Sequence, residues 1–172
     1  MSKSITAGID LGNQSCILAI PSEHGVDIVL NESSNRKNPT IVGYQEERRT
    51  AGEFAQQQYM MNIQNTITQL KRLIGLPFDS KEREIISNSV PYKIIRLDNG
   101  LSGIELDNGQ ILHVEQIFGF YLKSLLEILQ KKNPKIEQVV LTVPTSWTEI
   151  QRRSILNAAS ISNVKIAELL DS

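Results

Sequence analysis

The chain has 172 residues, the size of one domain or of one lobe of something larger, and 40% of them are hydrophobic, enough for a packed core. A net charge of −1, a pI near 6.1 and no Lys/Arg block longer than a pair argue against nucleic acid as the main partner. The lone Cys16 excludes an internal disulfide and a multi-cysteine metal site, and no apolar run approaches the ~18 residues of a membrane span. The opening "MSKSITAGID" has no apolar stretch of secretory length, so a cytoplasmic protein with no membrane partner is expected.

In chain order, Ile5 to Leu11 and Cys16 to Ile20 are short apolar runs around a Gly-Asn-Gln tip, and "VDIVL" (26–30) follows the His24-Gly25 turn signal. Three strands joined by tight turns predict an antiparallel meander. "NESSNRKNP" (31–39) reads as a polar loop, and Thr40 to Tyr44 as another strand. From Gly52 to Gly75 the apolar spacing becomes helical, with Asn62 and Asn65 as N-caps splitting the segment and Gly75 with Pro77 as its stop. Between Pro91 and His113, "YKIIRL", "LSGIEL" and "QILHV" alternate around two Asp-Asn-Gly turns, at 98–100 and 107–109, which predicts a small antiparallel sheet.

Val114 to Lys132 is an amphipathic helix with Ile117, Tyr121, Leu125, Ile128 and Leu129 on one stripe. "IEQVVLTVP" (136–144) reads as a strand buried on both faces, followed by a helix from about Thr148 to Ser160 capped by Thr148 or Ser146. Val164 to Leu170 starts a further apolar run, and the ending "AELLDS" leads us to expect a truncated chain. The order predicts an α/β fold with a ribonuclease-H-like core: a mixed sheet with helices, its later strands parallel through helical crossovers, plus a smaller inserted α+β subdomain. The expected division is residues 1–38 and 114–172 for the larger subdomain and 39–113 for the insert.

The chemistry gathers at "IDLGNQSC". Gly12 lets the backbone approach a ligand, and amides of residues 12–15 can form a nest for phosphate oxygens. Asp10 beside such a nest is sensible if it holds a hydrated Mg²⁺ that offsets the repulsion. Asn13 and Gln14 can donate amide hydrogens to phosphate or to metal-bound water. A hairpin whose turn simply favours Gly-Asn accounts for the same residues. Cys16 reads as a small buried apolar residue, and Lys71, Arg152 and Arg153 as solvated helix residues. Trp147 reads as a helix-start packing residue, and His24 and His113 lack ligand spacing.

"GIDLGNQSC" resembles the first phosphate motif of the seventy-kilodalton heat-shock chaperones and their hundred-and-ten-kilodalton relatives. The resemblance continues through "VLNESSNRKNPTIVGY" (29–44), "GEFAQQQYMMNIQNTITQLKRLIG" (52–75) and "VVLTVPTSWTEIQRRSILNAASIS" (139–162), four ordered blocks spread along nearly the whole chain. It implies an actin-like ATPase lobe, the first of two, with the second lobe and the substrate-binding domain absent. It implies ATP or ADP with Mg²⁺ as cofactors, Asp10 as the metal-side acid acting through water, and Gly12, Asn13, Gln14 and Ser15 as the phosphate loop. Lys71 would be the lysine that reaches the γ-phosphate and the attacking water, so that Lys71 and Asp10 are the catalytic pair.

The foldase chaperones carry two threonines and a tyrosine where this chain has Asn13, Gln14 and Ser15, and the amides lean toward the hundred-and-ten-kilodalton branch. That branch implies a nucleotide exchange factor for a foldase chaperone of the same superfamily and a holder of unfolded polypeptide clients, with slow ATPase activity at most. A foldase with altered loop residues and a ribosome-associated relative are the alternatives within the superfamily; Asp171 stands near the position of a further acidic site residue. A ribonuclease-H-like nuclease would need converging carboxylates that Asp10 lacks in sequence, and blocks 52–75 and 139–162 argue against a sugar kinase or an actin-like polymer.

Overall fold

The computed structural model describes residues 5–46 and 48–172; Glu47 and residues 1–4, the first part of the opening stretch, lie outside the described residues. Strands β1 (Ile5–Leu11), β2 (Ser15–Ser22) and β3 (Gly25–Val29) form the expected meander, and β4 (Lys37–Pro39) pairs with the start of β2. There follow β5 (Val42–Gln45), β6 (Arg48–Ala51), α1 (Glu53–Gln57), β7 (Thr66–Ile67), α2 (Leu70–Leu73), α3 (Lys81–Ser87), β8 (Lys93–Arg96), β9 (Ser102–Glu105) and β10 (Ile111–His113). The chain then runs through α4 (Val114–Lys132), β11 (Ile136–Val143), α5 (Glu149–Ile161) and β12 (Lys165–Asp171).

The main sheet has the order β12-β11-β1-β2-β3, with β4 beside β2. β11 lies parallel to both β1 and β12, as helical crossovers require. One face is fully apolar: Ala7, Ile9 and Leu11 of β1, Cys16, Leu18 and Ile20 of β2, and Val139, Leu141 and Val143 of β11 are all buried. α4 supplies Ile117, Phe118, Tyr121, Leu122, Leu125 and Leu129 to the same core, each large side chain contributing roughly 1.5–3 kcal/mol by leaving water. The other face carries Thr6, Gly8, Ala19, Gln138, Val140 and Thr142, all partly exposed. β11 therefore alternates rather than being buried on both sides, because described elements cover only one face of the sheet.

Residues 42–113 hold two three-stranded sheets, β6-β5-β7 and β10-β9-β8. Both Asp-Asn-Gly turns are where the sequence puts them; Gly100 and Gly109 have φ of 79° and 81°, a region glycine enters without steric cost. The segment 52–75 departs from the helical expectation. It is α1, two 3-10 turns at Tyr59–Met61 and Ile63–Asn65, then β7 and α2. Asn62 stands at the N-cap of the second 3-10 turn but makes no side-chain cap bond, its side-chain amide donating instead to the Tyr44 carbonyl; Asn65 is the last residue of that turn, and its Oδ1 accepts from the Asp107 amide. Phe54, Met60 and Met61 are exposed, so the apolar spacing there did not mark a buried stripe.

Candidate functional site

Parallel pairing of β1 with β11, in register Ile9↔Leu141, brings the C-terminal ends of both strands to one edge. There the Thr142 hydroxyl donates to Asp10 Oδ1 at 2.7 Å and accepts the Leu11 amide at 3.0 Å. One threonine thus fixes the exposed Asp10 carboxylate and closes the end of β1. At the tip beyond it, a Cβ on Gly12 would lie 2.1 Å from the Ser15 carbonyl oxygen. The glycine is required by space, not by a left-handed backbone, since its φ is not positive. Thr40 seals the other side: its hydroxyl donates to the Gly12 carbonyl at 3.0 Å and its amide to the Gln14 carbonyl at 2.9 Å. Gln14 is exposed, while Gly12, Asn13 and Ser15 are half-buried.

Lys71 comes to the tip from the smaller sheets. It stands on the four-residue α2, and its Nζ donates to the Leu11 carbonyl at 2.5 Å across 60 positions of sequence. The Asn13 amide Nδ2 donates to Gln69 Oε1 at 2.8 Å, a second tie between the tip and the same short helix. The donor that the sequence offered to phosphate is thus engaged by Gln69. Gly75, at φ 60°, follows α2 and lies directly on α5; a Cβ there would be 2.8 Å from the Gln151 Cα. Asp10, Gly12, Asn13 and Lys71 are therefore gathered at one sheet edge. Asp171 is instead engaged by Arg152, at the end of the neighbouring β12, and Arg153 pairs with Glu149 on the outer face of α5.

Behind the tip, Cys16 is fully buried; its Sγ accepts from the Tyr121 hydroxyl at 3.3 Å, and its S–H donates to Thr40 Oγ1 at 3.4 Å, since the Thr40 hydrogen is already donated to Gly12. Burial pushes the thiol above its ordinary range, so it stays protonated and acts as core. Trp147 is likewise buried, His113 is the N-cap of α4 with Gln116, and His24 sits exposed in the turn before β3. Sequence reasoning missed Thr142, Thr40 and Gln69. No local pattern marks them, because each acts through a partner 28 to 132 positions away.

A mixed sheet whose first hairpin carries an acid and a glycine at its tip, and whose later strands are added in parallel through helices, is the architecture of the actin-like ATPase lobe. Comparison with known proteins agrees. The Hsp70 protein family matches residues 6–171, and the chain belongs to that family. It is 34% identical over 172 residues to a heat shock protein homolog of Lachancea kluyveri. It is 33% identical over 168 residues to a heat shock protein homolog of Saccharomyces cerevisiae, and 32% over 177 residues to heat shock protein 88 of Dictyostelium discoideum. These alignments cover 98%, 95% and 98% of this chain but only 25%, 24% and 22% of the relatives, so the chain spans about a quarter of their length.

Proposed function

We propose that this chain forms one wall of a nucleotide site in a chaperone of the Hsp70 superfamily, with 1–38 and 114–172 as its larger subdomain and 39–113 as an insert. The observation that carries the reading is the convergence of the fixed Asp10 carboxylate, the crowded Gly12 turn and the Lys71 ammonium at one sheet edge. ATP or ADP presents several anionic oxygens, which need cations from more than one side and a backbone that comes close. Lys71 supplies one cation. Its present acceptor, a main-chain carbonyl, is a weaker partner for an ammonium than a phosphate oxygen.

Among the described residues no three His, Cys, Asp or Glu side chains come together as a ready-made metal site. A divalent cation would therefore keep most of its water and reach the chain through Asp10, as suits Mg²⁺. When bound, Mg²⁺ would supply charge neutralisation to the phosphates. Asp10 orients, Lys71 neutralises and Gly12 admits.

The likeness to two yeast proteins named as heat shock protein homologs, together with Asn13 and Gln14 in the tip, supports a nucleotide exchange factor for a foldase chaperone that also holds unfolded polypeptides in the cytoplasm. No described helix is long and apolar enough to cross a membrane. Titration of the chain with Mg-ADP and Mg-ATP, read by ¹H–¹⁵N NMR, is expected to shift residues 10–15 and Lys71, with no turnover of ATP. Lys71→Met is expected to weaken that binding roughly tenfold or more, the scale of one charge-assisted hydrogen bond; an unchanged affinity would contradict the reading. For the exchange role, the chain within its longest natural form should accelerate fluorescent-ADP release from a foldase chaperone.

A further inference from the structure

Gln69 adopts φ 58° and ψ 23°, a left-handed conformation that a residue with an unbranched, non-Asx side chain seldom takes. Such strain, of order 1–3 kcal/mol, persists only where surrounding contacts over-determine it, and it marks places where a side chain must stand. Here the contacts are specific. Glu82 Oε1 accepts from Arg72 Nε at 2.6 Å, Arg72 Nη1 approaches Gln69 Oε1 at 3.4 Å, and that same oxygen accepts from Asn13 Nδ2 at 2.8 Å.

A guanidinium can only donate, so the atom facing it is the glutamine carbonyl oxygen. An oxygen that accepts from Arg72 cannot donate to Asn13, so the Asn13 atom facing it must be the NH₂ group. The other end of the asparagine amide, Oδ1, is then left as an acceptor, and it is buried with no hydrogen-bond partner. A buried, unpartnered acceptor carries a desolvation penalty until a donor arrives. A phosphate oxygen cannot relieve it, since both atoms are acceptors. Water held on a divalent cation can, because the cation makes its hydrogens strong donors.

We infer that Gln69 is a positioning residue which, held by Arg72 and Glu82, turns Asn13 so that the tip favours metal-bound nucleotide over the bare anion. This rests on the nucleotide reading above, but it makes two separable predictions. The first needs no ligand. The Asn13 side-chain amide protons should be slowed in exchange and shifted in the native chain, unchanged in Gln69→Glu, whose carboxylate still accepts from both donors, and released in Gln69→Gly.

The second compares nucleotide affinity with Mg²⁺ and with EDTA by NMR titration. The ratio of the two affinities should be kept in Gln69→Glu and should fall roughly fivefold in Gln69→Gly, about one hydrogen bond's worth. Glycine removes the left-handed strain, so Gln69→Gly should melt no lower than the parent, and a purely structural role would leave the ratio unmoved. A free Asn13 amide in the native chain, or an unchanged ratio in Gln69→Gly, overturns the inference while leaving nucleotide binding intact. Failure of the unaltered chain to bind either form overturns both.

Discussion

Gly12 shows how little room the tip has. Any Cβ there meets the Ser15 carbonyl at 2.1 Å, and backbone cannot rotate aside as a flexible side chain would. Gly12→Ala is expected to destabilise the chain by about 1–3 kcal/mol through overpacking, seen as a lower urea midpoint, and to distort the tip. This residue was legible in "IDLGNQSC", because a glycine after an acid at a hairpin tip has few reasons to exist. The reason itself was half legible: the sequence suggested unusual dihedrals, whereas the structure shows a close approach at ordinary φ. Lys71 was legible through the resemblance of "LKRLIG" alone; its spacing would suit any solvated helix lysine. Gln69 was not legible, since its left-handed backbone and its tie to Asn13 depend on how α2 is seated 56 positions away.

At the scale of elements, local chemistry was readable wherever it is self-contained. Thr148 caps α5, its Oγ1 accepting the Gln151 amide while Gln151 reaches back to the Thr148 amide. Thr148→Ala should cost about 1 kcal/mol, measurable as a shift in the denaturation midpoint without change in slope. The hairpins around Gly100 and Gly109 and the helix α4 follow equally from turn and period signals. The segment 52–75 did not, because tertiary pairing decided it: Thr66 and Ile67 join β5 as a strand, which breaks the helix that the apolar spacing proposed. α3 carries a local start signal of its own, since Ser80 accepts the Arg83 amide and Glu82 and Glu84 fill the first turn.

Across the whole molecule, the buried hydroxyls and thiol set its response to alkali. Burial raises Tyr44 from 10.0 to about 12, and raises Tyr92, Tyr121 and Cys16 as well. Each folded value lies above its unfolded one, so the stability these groups contribute is complete below the unfolded values and is lost as pH rises toward the folded ones. Unfolding free energy should therefore fall from pH 9 upward. Tyr44 alone accounts for about 2 kcal/mol between pH 10 and 12. Urea midpoints measured across this range should decline, and Tyr44→Phe should flatten part of the decline. The mixed sheet and its helical crossovers were legible at this scale, because the order of strand and helix patterns admits few topologies. The half-covered second face was not, since an apolar run such as "VVLTV" reads the same whether one or both sides are packed.

Gly75 rests on the backbone of Gln151 with no side chain between them to yield. Close-packed matter of this kind transmits displacement instead of absorbing it. The thirteen-residue α5 and the chain that follows the single turn bearing Lys71 accordingly meet backbone to backbone at Gly75. Where α5 lies therefore decides where the chain just after α2 can sit, and the ammonium of Lys71 stands only four residues before that glycine.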